Sequence, residues 1–156
     1  MVFLRGAYGV GVTCEIFFTR PKGKIGPFSY HIHDQPLPSQ RNCSGTRSPF
    51  DPYHRGQADP CDPAHPEACQ LGDLSGKHGL IPEFNGSLAR AFYTFTDPYI
   101  STNPNVGAFI GSMSFIIRDS ADELVDCSDI SYTKTSDLPT KYNVTFPPGL
   151  GVTLPY

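Results

Sequence analysis

The chain has 156 residues, and its 12 Lys and Arg against 15 Asp and Glu give a formal net charge of −3. This length favours a single domain over residues 1–156, and the acidic balance excludes nucleic acid as an expected partner. No run approaches the roughly 18 apolar residues of a membrane span. The 16 Pro and 15 Gly favour turns over long helices. We expect a monomeric domain with no membrane span.

The first clear element is a strand with a hydrophobic period of two residues, which is typical of a half-buried strand. Its inward positions are Val10, Val12, Cys14, Ile16 and Phe18. Because Cys14 belongs to the inward set, we interpret it as a small buried hydrophobic residue and not as a reactive thiol.

The next predicted strand, over 28–33, ends in the sequence His31-Ile32-His33. Successive side chains of a strand point to opposite faces, so His31 and His33 share one face. The two imidazoles then lie about 7 Å apart along the strand, and such a pair can chelate one transition metal ion. A solvated strand face explains the same spacing equally well.

Residues 34–82 are rich in Pro, Asp, His, Gly and Cys, without sustained periodicity, and predict a long loop that is functional or tied down. Strand-like runs follow at 89–96, 108–117 and 123–127, with a weaker candidate at 143–146. Several short strands separated by Gly and Pro turns indicate an antiparallel sandwich or barrel.

Cysteines and glycosylation motifs indicate the compartment. There are five cysteines, and Asn42, Asn85 and Asn143 each begin an Asn-x-Ser/Thr sequon. Asn42 is the weakest acceptor of the three, because its neighbour Cys43 is a candidate for a disulfide. Together with four cysteines that can pair, these motifs predict a secreted glycoprotein located outside the cell or at the cell surface.

Several motifs together resemble the copper/zinc superoxide dismutase family. In chain order they are His31-Ile32-His33, Cys43, Phe50-Asp51-Pro52, Gly72-Asp73-Leu74, Ser114-Phe115-Ile116-Ile117 and Cys127. The segments GDLSGKHG at 72–79 and DPYIS at 97–101 resemble the secreted fungal copper-only branch, which lacks the zinc site. Over residues 10–127 the resemblance implies an all-β fold, an eight-stranded antiparallel Greek-key barrel with a long disulfide-tied loop, and no zinc.

The resemblance also implies a copper site of four histidines, of which this chain keeps two. His31 and His33 match the first two ligands. Pro49 stands at the third ligand position and has no side-chain donor. Arg118 stands at the fourth position, and its guanidinium is always charged and repels a metal cation. We therefore expect a degenerate metal site.

Positions that support the family's copper site also differ here. The copper-only branch has a Glu where this chain has Gln70, and the family's active-site Arg corresponds to Leu124, whereas Asp73 is retained. We predict that Arg118 places a positive charge where copper would lie and neutralises Asp34 or Asp73, because a buried cation needs a carboxylate partner. The alternative is an exposed strand end.

The same resemblance implies a disulfide between Cys43 and Cys127. Cys61 and Cys69 remain in the long loop, eight residues apart, and we expect them to pair with each other.

Three further histidines lie outside the His31/His33 pair. We interpret His54 and His65 as solvated loop residues, although each is an alternative ligand and His54 lies closer to the site. His78 belongs to the Ser-Gly-Lys-His-Gly turn, where we predict a hydrogen bond that braces the loop.

Three functions compete at this point. The favoured one is a secreted superoxide dismutase-like protein with little or no dismutase activity, which binds a metal such as copper, or a metal cofactor such as haem, through His31 and His33. The second is a weak copper-dependent dismutase that recruits His54. The third is a structural or host-interaction protein without a ligand.

Overall fold

The structure is a computed structural model that describes residues 2–5, 11–24, 26–38, 42–46, 48–56, 60–84, 90–133 and 141–144. Its strands are β1 (Val2–Arg5), β2 (Val12–Thr19), β3 (Ser29–His33), β4 (Arg90–Asp97), β5 (Ser114–Arg118), β6 (Leu124–Thr133) and β7 (Lys141–Val144). One short helix, α1, spans Leu74–His78, and single 3₁₀ turns lie at Cys43–Gly45 and Pro66–Ala68.

All the strand pairs are antiparallel and form one sheet in the order β3-β5-β6-β7-β1-β2-β4. The predicted all-β antiparallel class is confirmed. The described residues contain seven strands where eight were predicted, and within them no backbone ladder joins the edge strands β3 and β4. Ring packing spans that opening, since the rings of Tyr30 and Phe95 lie 6.1 Å apart.

Strand β2 has the predicted alternation, with every second residue buried. The buried positions Val12, Cys14, Ile16 and Phe18 are each at most 3% exposed. Cys14 is a free thiol whose pKa is raised well above its ordinary value, mainly by burial. The interpretation of Cys14 as an inward-facing hydrophobic residue is confirmed, while Val10 lies outside the described residues.

Aromatic and aliphatic side chains from the sheet and the long loop share one core. Phe18, Phe28 and Phe84 pack together with ring-centre distances of 5.1 to 6.1 Å. Leu71 and Leu74 join the same core from the long loop. Full burial of such a side chain stabilises the fold by about 1.5–3 kcal/mol, so the loop is held down by packing as well as by covalent bonds.

The predicted strand at 108–117 is wrong in its first half, because only Ser114–Arg118 forms a strand. Residues 108–113 instead form turns that fold back on Ser101. Ser101 N–H donates to the Ala108 carbonyl and Ile110 N–H donates to the Ser101 carbonyl. The buried Ile110 explains the apolar pattern, which reports burial and does not report extended backbone.

Other boundaries also differ from the sequence prediction. Strand β6 extends to Thr133, beyond the predicted 123–127, and β7 begins at Lys141 ahead of the predicted 143–146. Strand β1 and helix α1 had no predicted counterpart. Each is only four or five residues long, which is too short to establish a period.

Both expected disulfides are present, Cys43–Cys127 and Cys61–Cys69. The first joins the 3₁₀ turn in the long loop to β6. Of the sequon residues, Asn42 is exposed, Asn143 lies in β7, and Asn85 falls outside the described residues. None of the helices in the described ranges is long and apolar enough to cross a membrane.

Candidate metal site

Backbone hydrogen bonds fold the long loop onto the histidine strand β3. Ile32 N–H donates to the Gly72 carbonyl at 2.9 Å, and Phe50 N–H donates to the Ile32 carbonyl at 2.8 Å. Gly72 N–H completes the triangle by donating to the Phe50 carbonyl at 2.7 Å. One edge of His31-Ile32-His33 is therefore covered by two distant parts of the loop, while the other edge pairs with β5.

Gly72 is required at this junction for steric reasons. A Cβ atom built there would lie 2.2 Å from the Ile32 carbonyl oxygen and 2.6 Å from the Phe50 nitrogen. Any other residue would push the loop away from β3. The glycine of the Gly72-Asp73-Leu74 motif thus sets the position of Asp73.

Pro49 lies beside the histidine pair. It forms an isolated antiparallel bridge with His33 and lines the same cleft as His31. Pro49, which the sequence analysis assigned to the third ligand position, is therefore a spatial neighbour of the histidine pair.

Asp73 holds the His31 ring. Its Oδ1 accepts a hydrogen bond from Gly76 N–H at 2.8 Å, which caps α1, and lies 3.3 Å from His31 Nε2. Ser75 Oγ is 3.4 Å from the same nitrogen. Burial acts to raise the pKa of Asp73, but the interactions with His31, Gly76 N–H and Lys77 outweigh it, so the pKa lies below its ordinary value.

An ionised carboxylate only accepts hydrogen bonds, so the Asp73 contact favours the hydrogen of the His31 ring on Nε2. The lone pair then lies on Nδ1, which is the atom left to bind a ligand. Metal-binding histidines commonly have such a carboxylate on the other ring nitrogen.

The two histidines have different surroundings. The His31 side chain is 20% exposed and lines the cleft, whereas His33 is 5% exposed and stands opposite Ser114 in β5. A ligand arriving from solvent thus reaches His31 first.

The cleft beside His31 has a volume of about 660 Å³. Its lining residues are His31, Pro49, Arg55, Gly56, Pro60, Cys61, Asp62, Ala68, Cys69, Gln70 and Asp73. The predicted site residues His31, Pro49, Gln70 and Asp73 are therefore neighbours in space. The Cys61–Cys69 disulfide forms part of the cleft wall, which the sequence did not indicate.

Gln70 lies near Asp51 in the wall of this cleft. Burial acts to raise the pKa of Asp51, but the N–H groups of Gly56 and Arg55 and the Gln70 amide outweigh it and lower the pKa. Gly56 N–H donates to Asp51 Oδ2 at 2.8 Å. A neutral amide at position 70 suits a neighbouring carboxylate better than a second carboxylate would.

The predicted role of Arg118 as a charge replacing the metal is wrong. Its guanidinium donates to the Asp122 carbonyl at 2.8 Å and lies 3.7 Å from the Asp122 carboxylate. It therefore neutralises a neighbour in its own turn, not Asp34 or Asp73. Arg118 stands opposite Ser29 at the end of the β3–β5 ladder away from His33, and its long side chain reaches Asp122, four residues further along the chain.

The other histidines lie elsewhere. His54 is exposed, in a turn where its N–H donates to the Asp51 carbonyl, and it is not among the described cleft-lining residues. His65 is exposed, and its Nδ1 lies 3.3 Å from Glu67 Oε1. His78 Nε2 lies 2.9 Å from Asp97 Oδ2, which confirms the predicted bracing hydrogen bond.

The described residues do not fit the four-nitrogen copper site that the fold implies. Within those ranges, no group of three or more His, Cys, Asp or Glu side chains is placed to hold a metal ion. His31 and His33 are the imidazoles at this position, and Pro49 and Arg118 add no donor.

An antiparallel β fold with a His-x-His strand beside a disulfide-tied loop defines the superoxide dismutase-like class. No protein-family model matches the chain. Individual proteins, however, are similar to it. The chain is 37% identical over 125 residues to the cell surface Cu-only superoxide dismutase of Arthroderma benhamiae, and the aligned region covers 80% of this chain and 33% of that protein. It is 37% identical over 108 residues to cell surface Cu-only superoxide dismutase 5 of Candida albicans, covering 69% and 43%.

A solved structure of Candida albicans superoxide dismutase 5 with Cu(II) matches with a TM-score of 0.71 and 31% identity, covering 86% of this chain and 82% of that one. The chain belongs to the fungal cell-surface Cu-only superoxide dismutase family. It spans 33% and 43% of the length of the two curated relatives. Their cell-surface names confirm the predicted secreted, cell-surface location.

Proposed function

We propose that this domain is a superoxide dismutase-like module with little or no dismutase activity, which binds a transition metal ion loosely through His31 and His33. The single observation behind the proposal is that His31 and His33 are alternate residues of β3, and so lie on one strand face, while no group of three or more His, Cys, Asp or Glu side chains in the described residues is placed to hold a metal ion. The loop residue that bridges to His33 is Pro49, whose side chain has no donor atom for a metal.

Redox catalysis by copper needs ligands that hold both oxidation states in a defined geometry. Two imidazoles provide part of such a site. The open cleft on the His31 side leaves room for water or a small anion to complete the coordination sphere. We therefore expect affinity for Cu²⁺ or Zn²⁺ without efficient turnover of superoxide.

Haem is less suited to this pair than a metal ion. Bis-imidazole ligation of haem places the two rings on opposite faces of the macrocycle. His31 and His33 project from one face of one strand, so one haem cannot insert between them without distorting β3. Nothing in the described part of the chain supports haem.

The activity test measures superoxide dismutation by copper-loaded protein against an active relative. After correction for unbound copper, we expect a rate near that of the spontaneous dismutation of superoxide in buffer without protein. A rate close to that of the relative would overturn the proposal and point to recruitment of His54. The variant His54→Ala then separates that alternative from a site in which His54 has no part.

The binding test uses titration calorimetry with Cu²⁺ and Zn²⁺. His31→Ala and His33→Ala should each abolish most of the binding, and affinity should fall in acid because protons compete for imidazole. The exposed His65→Ala is the matched control and should bind like the parent. Binding by all three variants equal to that of the parent would place the metal away from His31 and His33 and overturn the proposal, and no binding by the parent would favour the ligand-free interaction protein.

A gain-of-function test restores the family's ligand set with Pro49→His and Arg118→His together. If these positions converge on the pair, four imidazoles replace two and copper affinity rises by orders of magnitude, measured by competition with a chelator. Activity recovers only in part, since Gln70 and Leu124 remain. A folded double variant that binds no better than the parent would contradict the assignment of both positions.

A further inference from the structure

A charged cluster is buried where β4 meets α1. Asp97 Oδ2 lies 2.6 Å from Lys77 Nζ and 2.9 Å from His78 Nε2, while Asp97 Oδ1 accepts from Tyr99 N–H at 2.8 Å. The side chains of Lys77 and Asp97 are 0% exposed. Lys77 also donates to the Leu71 carbonyl at 2.8 Å. Both Asp97 oxygens are therefore engaged.

This cluster and the His31 contact lie at opposite ends of α1. Lys77 and His78 are the last two residues of the helix, and Asp73 is its N-cap. A five-residue helix does not hold its shape alone, so contacts at its two ends set its position. The His78 ring also stacks on Phe95 of β4 at 4.1 Å between centres, which fixes that end further.

The first turn of α1 has little freedom to shift. A Cβ atom at Gly76 would lie 2.3 Å from Asp73 Oδ2 and 2.6 Å from Cys61 Cβ. The Asp73 carboxylate thus sits between the helix backbone, the Cys61–Cys69 loop and His31. A small rotation of α1 would change the distance between Asp73 and the His31 ring.

We infer that Asp97 is a positioning residue for His31: through Lys77 and His78 it anchors α1, and α1 in turn holds Asp73 against His31 Nε2 so that Nδ1 is left for a ligand. The metal-binding part of this inference rests on the proposed function. The part that concerns the orientation of the His31 ring is independent of the proposed function.

The test uses His78→Ala, which removes one bond to Asp97 without leaving a buried charge unpaired, and Asp97→Asn, which removes the charge. His78→Gln is the conservative rescue, because its amide can donate to Asp97. His65→Ala is the matched control, because it removes another histidine–carboxylate contact, with Glu67, away from α1.

The first measurement is the tautomer of His31 by ¹⁵N NMR on metal-free protein at alkaline pH. The parent, His78→Gln and His65→Ala should have the hydrogen mainly on Nε2. In His78→Ala and Asp97→Asn the signal should move toward the mixture of a free imidazole. An unchanged His31 tautomer in folded His78→Ala overturns the inference, and this variant decides the matter if Asp97→Asn does not fold.

The second measurement is Zn²⁺ affinity by calorimetry, where a loosened supporting carboxylate should weaken binding by about tenfold. If the parent binds no zinc while the tautomer still responds, the positioning role stands and the proposed function fails. If the parent binds zinc and neither quantity changes in His78→Ala, the proposed function stands and the positioning role is overturned.

Discussion

At the scale of single residues, the site depends on close backbone approaches that only particular side chains permit. Gly72 lets β3, the segment at Phe50 and the loop before α1 exchange three hydrogen bonds, because it has no Cβ. Asp73 follows directly and faces His31. The Gly-Asp pair therefore acts as one unit, in which the glycine supplies the approach and the aspartate supplies the charge.

We predict that Gly72→Ala destabilises the protein by about 3 kcal/mol, because the new methyl group overlaps the Ile32 carbonyl and the strand or loop must move. Urea unfolding followed by circular dichroism measures the change. Gly107→Ala is the control, since its new Cβ would meet no atom within 4 Å. Equal stability of the two variants would contradict the close approach at Gly72.

Cys14 provides a second test at this scale. Because its thiol is fully buried and burial raises its pKa, we predict no measurable alkylation by iodoacetamide in the native state and rapid alkylation in denaturant. Mass spectrometry of the modified peptide gives the readout. Rapid native labelling would mean that β2 has the opposite phase and that Val12, Ile16 and Phe18 face outward.

At the scale of elements, the long loop is secured at several points. Cys43–Cys127 ties its beginning to β6, Cys61–Cys69 closes its middle, and α1 joins its end to β3 and β4. The loop consequently behaves as part of the fold and forms the walls of the cleft beside His31.

The two disulfides should contribute unequally, because the chain entropy removed from the unfolded state grows with the length of the closed loop. With a sequence separation of 84, Cys43–Cys127 should contribute about 4–5 kcal/mol, and Cys61–Cys69, with a separation of 8, about 2–3 kcal/mol. Unfolding of the paired Cys→Ala variants checks this order. A larger loss from the 61–69 pair would show that cleft packing outweighs chain entropy.

At the scale of the whole molecule, stability depends on buried charge between α1 and β4. Burial acts to raise the pKa of Asp97, but the bonds from His78, Lys77 and Tyr99 N–H outweigh it, so the folded pKa is below the ordinary value. Burial is also the largest influence on Lys77 and lowers its pKa, although Asp97 opposes this.

A lowered folded pKa means that the unfolded chain takes up the Asp97 proton first as pH falls. The stability contributed by Asp97 is thus fully present above its unfolded pKa of about 3.9 and is lost as pH drops through the lower folded pKa. We predict that the free energy of unfolding declines steeply below about pH 4. Asp97→Asn, if folded, should have a shallower decline, and an identical acid profile in both proteins would contradict this role.

Residue patterns predicted much of the fold because their causes are local or covalent. The alternation in β2 follows from burial of one strand face, and His31 and His33 share a face because of strand geometry. The resemblance implied Cys43–Cys127 and the all-β class, and Cys61–Cys69 followed as the remaining pair. The apolar run at 108–117 misled because a buried turn and a buried strand have the same composition.

Residue patterns along the chain were sufficient to predict the β2 strand, the His-x-His pair and the oxidised cysteines. The pairing of charged side chains, in contrast, depends on the folded arrangement of the chain. Asp97 pairs with Lys77, 20 positions away, and Asp73 pairs with His31, 42 positions away. Arg118, in contrast, pairs with Asp122, only four positions away. Charges interact through space and carry no periodic signal along the chain, so their partners depend on how the long loop folds back onto the sheet.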